Sequence, residues 1–186
     1  MLISRFPNNN SREKIYDMEK EYNICIAQQY RTFLCDYNGG ETPNTTYKSE
    51  KMSTKIKGFY GFGEVTFSFD KINISYWLKN NILPIACDSF GNIITIGLTE
   101  ENNGKIYFCD HEKAYKNKLI EKDFKSFIIK CISGEINPKA KRSIEERESD
   151  LILKGKGANI TEDLRKMWQA EIDKYGKMVQ ETVIIK

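Results

Sequence analysis

Apolar positions recur at helical spacing in two early stretches. In residues 12–22, Ile15, Met18 and Tyr22 share a face with Glu19, behind a start at Ser11 that lacks a full capping box. In residues 27–37, Tyr30, Phe33, Leu34 and Tyr37 follow the i, i+3, i+4, i+7 pattern, and Asn38-Gly39-Gly40 supplies a left-handed stop. Residues 41–63 carry Pro43 and several Gly, Ser and Thr, so they read as loop-rich, with short extended pieces around residues 45–47 and 56–60 and one strand expected among them. Residues 69–80 hold Ile72, Tyr76, Trp77 and Leu78, a short helix ended by Asn80-Asn81 and Pro84. Residues 83–111 then predict three antiparallel strands, because Gly91-Asn92 and Asn103-Gly104 favour the positive backbone angles of tight hairpins. A last helix is expected over 123–132, with Phe124, Phe127, Ile128 and Cys131 on one face and Ser133-Gly134 as its stop. The first domain, 1–134, closes there.

Residues 135–186 change character and are expected to form a charged linker and a helical extension. The charge density holds to Asp150, Gly155-Lys156-Gly157 reads as a hinge, and Asn159 with Glu162 three residues on predicts a helix start. Ile160, Leu164, Met167, Trp168, Ile172, Tyr175 and Val179 make one apolar stripe. Packing back on the first domain is the simplest cover for it. The alternative is an interaction helix in which Leu164, Trp168 and Ile172 meet a partner or a second copy of the chain.

Composition narrows the function. Of 186 residues, 40% are hydrophobic and 12% aromatic, enough apolar surface to exclude a disordered chain. The net charge is +3, from 29 Lys and Arg against 26 Asp and Glu, with the signs interspersed. The densest basic cluster, Lys139, Lys141 and Arg142, is followed at once by Glu145, Glu146 and Glu148, so no nucleic-acid footprint is expected. No apolar run has membrane-spanning or signal-peptide length, and the five cysteines form no CxxC. A cytoplasmic chain without disulfides, metal or cofactor is expected.

Candidate chemistry centres on Cys109-Asp110-His111-Glu112, which holds the one histidine. A Cys109–His111 nucleophile and base would still need an orienter and oxyanion donors, and no motif supplies them. One histidine with Asp88, Glu100, Asp110 and Glu112 nearby in sequence does not make a metal set. Gly58-Phe59-Tyr60-Gly61-Phe62-Gly63 lacks the Lys and Ser/Thr of a phosphate loop. No catalytic residue is assigned.

Five phrases, kept in order, resemble the SUKH superfamily of Smi/Knr-type domains. They are Ile26-Ala27-Gln28-Gln29-Tyr30-Arg31-Thr32-Phe33-Leu34 with Tyr37-Asn38-Gly39-Gly40; Ile56-Lys57-Gly58-Phe59-Tyr60-Gly61-Phe62; Leu83-Pro84-Ile85-Ala86-Cys87-Asp88 with Gly91-Asn92; Gly104-Lys105-Ile106-Tyr107-Phe108-Cys109-Asp110-His111-Glu112; and Phe124-Lys125-Ser126-Phe127. The chain departs from the family pattern at Ala27, where a proline is usual, and at Cys109, where an aromatic is common. The resemblance spans about residues 11–134 and implies an α+β fold, a twisted and mainly antiparallel sheet with helices packed around it. It implies a non-enzymatic protein-binding module: in bacteria, an immunity protein for a cognate toxin domain, often a nuclease; in fungi, a scaffold in cell-wall regulation. The contact surface is then expected at the sheet rim and hairpin loops, with Asp88, Asn92, Asp110, His111 and Glu112 as polar contacts and Trp77 as an anchor. The alternative is a regulatory scaffold that self-associates through the C-terminal helix.

Overall fold

The computed structural model describes residues 1–8, 10–50 and 52–185. In chain order the elements are β1 (Leu2–Arg5), α1 (Ser11–Tyr22), α2 (Gln28–Tyr37), β2 (Gly40–Lys48), β3 (Ser53–Phe59), α3 (Ile74–Leu78), β4 (Ile82–Asp88), β5 (Ile93–Gly97), β6 (Ile106–Asp110), β7 (Lys116–Glu121), α4 (Phe124–Lys130), β8 (Cys131–Ser133), α5 (Ile144–Leu153), α6 (Glu162–Tyr175) and β9 (Glu181–Thr182). The nine strands form one antiparallel sheet in the order β7-β6-β5-β4-β3-β2-β1-β9, with β8 also on β2. The class is α+β, as the family resemblance implied.

Both early helices form where the apolar spacing places them, and Ile15, Met18, Tyr30, Phe33, Leu34 and Tyr37 are buried. Helix α2 stops because Asn38 turns left-handed (φ 52°) and Gly39 follows (φ 73°), where a Cβ would lie 2.5 Å from the Tyr60 carbonyl oxygen. The Asn38 side chain locks this corner: its amide donates to the carbonyls of Pro7 (2.7 Å) and Phe62 (3.1 Å), and its Oδ1 accepts from the Phe62 N–H (2.9 Å). Helices α2 and α4 then face the sheet through an aromatic cluster, with Phe33 5.1 Å from Phe124 and 5.2 Å from Phe59, and Tyr47 5.0 Å from Phe127.

Two regions differ from the sequence reading. Residues 41–63, expected to be loop-rich, hold the two full strands β2 and β3. Pro43 sits at a register shift between Glu41 and Thr45, beside the left-handed Asn44 (φ 58°). There β2 changes its outer neighbour: Gly40 and Glu41 pair with β1, while Thr45, Thr46 and Tyr47 pair with β8. A proline is tolerated at such a break because no ladder hydrogen bond is asked of its nitrogen. The helix expected over 123–132 ends instead at Lys130. Cys131 turns extended (φ −82°, ψ 107°) to pair with Tyr47, so the strand partner overrides the helical spacing.

The chain divides into two compact units, Met1–Gly134 with Glu181–Lys186, and Glu135–Gln180. The 135–186 extension is thus corrected at its end: Glu181 and Thr182 pair with Ile3 and Leu2 in the first unit. The second unit is an insertion between β8 and β9. Its ends meet, since the Ile136 N–H donates to the Gln180 side chain at 2.7 Å.

Within the second unit, Ser143 and Glu146 form a capping box on α5. The nearly buried Arg147 donates to Glu171 (2.8 Å) and to the Arg142 carbonyl (3.1 Å), with its guanidinium 5.7 Å from the Trp168 ring centre. Helix α6 starts at Thr161, whose hydroxyl accepts from the Leu164 N–H, rather than at Asn159, which closes a 3₁₀ turn. It ends at Tyr175, so Val179 lies beyond it.

Candidate binding rim

Three hairpin connections gather at one end of the sheet. Lys48 pairs with Ser53 where β2 turns into β3, Cys87 with Ile93 below residues 88–92, and Asp110 with Lys116 below residues 111–115. The Ser89 N–H also donates to the Lys55 carbonyl (2.9 Å), which ties the second connection to β3.

A buried hydrogen-bond network holds this rim. Asp88, only 2% exposed, accepts from the N–H groups of Phe90 (2.8 Å) and Asn92 (2.9 Å) through Oδ1. Its Oδ2 accepts from the Thr54 hydroxyl (2.6 Å) and the Asn92 amide (2.8 Å). With the Asn92 amide nitrogen facing that carboxylate, its Oδ1 faces His111 and accepts from the His111 N–H (3.1 Å). The His111 Nδ1, 2.8 Å from the same oxygen, must therefore carry a proton, because a carbonyl oxygen only accepts. His111 as a whole is exposed. Asp88 and Asn92 are therefore not the polar surface contacts expected of them, because both are buried and spend their polar atoms on this network; they hold the exposed His111, with Thr54 as a fourth member that the sequence did not reveal.

Asp110 and Glu112 have different roles. Asp110 accepts from the Glu112 N–H (3.0 Å) and pairs with Lys113 (2.9 Å), and the Lys113 ammonium holds its carboxyl below the usual range. Glu112 is exposed. The connection ends in two consecutive left-handed residues, Ala114 (φ 50°) and Tyr115 (φ 57°), a strained conformation for side chains with a Cβ and one that concentrates at binding loops.

Trp77 is not the exposed anchor expected of it. It is only 8% exposed, packed with Ile82 and Cys109, and its ring meets Tyr115 edge-on at 5.1 Å. Its work is to support the strained loop from behind. The exposed aromatic at the rim is Phe90, 65% exposed on the tip between β4 and β5, with its own N–H tied to Asp88. The sequence signal for it was available, since a phenylalanine between Ser89 and Gly91 in a tight turn has no core to enter.

Cys109 does not pair with His111. Its buried thiol donates to Asn117 (3.0 Å), and burial first of all pushes its pKa up to about 11, which leaves it protonated at neutral pH. Among the described residues no three His, Cys, Asp or Glu side chains gather as metal ligands, and no helix is long and apolar enough to cross a membrane. In the second unit Leu164, Trp168 and Ile172 are half-buried along α6, while Met167 is 65% exposed.

The chain is 29% identical over 173 residues to the SPbeta prophage-derived uncharacterized protein YokK of Bacillus subtilis (strain 168), an alignment covering 80% of this chain and 85% of that protein. No solved structure matches. A family model described as SUKH_6, SMI1-KNR4 cell-wall, matches residues 12–128, the stretch that carries α1 to α4 and the rim, and the chain belongs to that SUKH family.

Proposed function

We propose that the protein is a non-enzymatic immunity module that acts in the cytoplasm, binding a cognate toxin domain and covering its working surface. Membership in a family that includes immunity proteins supports this reading. The observation that carries it is the rim itself. An exposed Phe90 and an exposed His111 stand on backbone already fixed by the buried Asp88–Asn92 network, and the exposed Glu112 beside them on backbone tied to Asp110. Such a surface loses little conformational freedom on docking, so more of the contact energy appears as affinity. Inhibition is then occlusion: the aromatic fills a pocket and the polar groups around it fix orientation.

The test is co-expression with candidate toxin domains, those encoded by neighbouring genes first. Rescue of growth and co-purification of a complex that Phe90→Ala weakens are expected. A chain that rescues against none of them contradicts the proposal.

A second reading, a scaffold that self-associates through the inserted unit, draws on the exposure of Ile152 (61%), Leu153 (86%) and Met167 (65%). Sedimentation decides it: a dimer that Leu153→Glu with Met167→Glu dissolves supports self-association, and a monomer at all concentrations removes it.

A further inference from the structure

Strand β7 is an outer strand of the sheet, and in its regular stretch Lys116 and Lys118 share one face, before the register shifts at Ile120. In register, Lys116 lies opposite Asp110 and Lys118 opposite Phe108. With Met52 from the β2–β3 connection and Lys113 from the strained loop, these side chains line a concavity of about 410 Å³ beside the rim. A second, of about 580 Å³, is lined by Ile120 together with Lys48, Ser49, Glu50 and Lys130.

The charges in and around the groove are unequally satisfied. Asp110 is engaged by Lys113, and Lys130 pairs with the buried Glu121. Among the described residues no carboxylate pairs with Lys116 or Lys118. Lysines also guard an edge strand against unwanted pairing. Here, however, their stems border a half-buried Phe108 and Met52, so one site offers an apolar floor and unpaired positive charge together.

We infer that this groove receives an acidic segment of the protein partner, an extended stretch with an apolar side chain on Phe108 and Met52 and carboxylates against Lys116 and Lys118. The inference rests on the reading above that the partner is a protein. The observations favour a protein over a nucleic acid. The groove holds no arginine, only two lysines without a carboxylate partner, and an apolar floor, whereas a phosphate chain calls for a longer basic track. Opposed charge would also steer encounter towards the rim.

The experiment titrates the full-length, isotope-labelled protein with three probes while backbone amide resonances are followed. The probes are a short peptide alternating Glu and Leu, the same peptide with Gln for Glu, and a single-stranded RNA of similar length. The expected result is that the acidic peptide shifts the amides of Phe108 and of residues 113–118. It should bind at least about tenfold more tightly than the Gln peptide, about 1.4 kcal/mol, and should weaken as salt rises. Lys116→Glu with Lys118→Glu, both exposed and still charged on the edge, should fold normally and lose that binding by about tenfold or more. Equal binding of the Gln peptide, tighter binding of the RNA at the same amides, or an unaffected double variant would overturn the inference. The titration needs no toxin. Growth rescue with a silent groove sinks this inference alone, and a responsive groove without rescue sinks the toxin reading alone.

Discussion

Replacing Asn92 with alanine removes the link between two of the three rim connections while leaving the core untouched. Three contacts vanish: the amide to Asp88 Oδ2 at 2.8 Å, and the two from the His111 N–H (3.1 Å) and Nδ1 (2.8 Å) to Asn92 Oδ1. The bond to the buried carboxylate is the largest, at about 1.5–2 kcal/mol, because Asp88 has no water to replace the donor. The His111 N–H contributes about 0.5–1 kcal/mol, and the exposed ring little, since it rehydrates. The expected cost is therefore about 2–3 kcal/mol, or a fall in Tm of about 5–10 °C for a chain of this length. Asp88 keeps Thr54 and two backbone N–H donors, so the variant still folds. Urea titration gives the stability. Hydrogen exchange supplies the diagnostic readout: amides of residues 111–115 should exchange faster, while those of α2 and β4 change only with global stability. Unchanged exchange in 111–115, or a Tm within about 1 °C of the parent, would refute the claim that this network holds the rim.

Other outcomes follow from the same structure. Phe90→Ala should leave Tm unchanged and weaken a captured partner about tenfold, since burying its exposed ring is worth about 1–2 kcal/mol; equal affinity would remove Phe90 from the interface. Asp123, whose Oδ1 accepts from the Ser126 N–H at 2.7 Å at the start of α4, has its pKa lowered overall although burial alone would raise it. Its folded pKa lies below the unfolded one, so its stabilisation is present above the ordinary carboxylate range and is lost as pH falls through the folded value. Asp123→Ala should thus cost about 1 kcal/mol at pH 7 and progressively less below about pH 4, and a pH-independent difference in urea titrations would contradict the assignment. Cys87, Cys109 and Cys131 are buried, which raises their pKa values to about 11, 11 and 12. A thiol reagent at neutral pH should therefore label the exposed Cys25 in the folded protein and reach these three only after unfolding.

The sequence revealed elements whose signal is local. Helix α2 carries its own apolar face and its own stop, and the β4–β5–β6 meander carries its turns, so both were legible. Strands whose identity depends on a distant partner were hidden. β1 and β9 are short and pair across the chain's two ends, β2 is interrupted by Pro43, and β7 has the polar face of an edge strand. At the rim, Asp88, Asn92 and His111 were picked out singly, but their shared network with Thr54 is a product of strand register. Trp77 illustrates the opposite failure. A large aromatic near a helix end is compatible with surface or core, and only the packing of Ile82, Cys109 and Tyr115 decides for the core.

The central claim, that the preorganised rim is the working surface, is tested most directly by mapping hydrogen exchange in the complex with a toxin domain against which the chain rescues growth. The account predicts protection concentrated at residues 89–92 and 111–115, extending along β7, with the inserted unit Glu135–Gln180 unchanged. Protection confined to α5 and α6, with the rim exchanging as in the free protein, would contradict it.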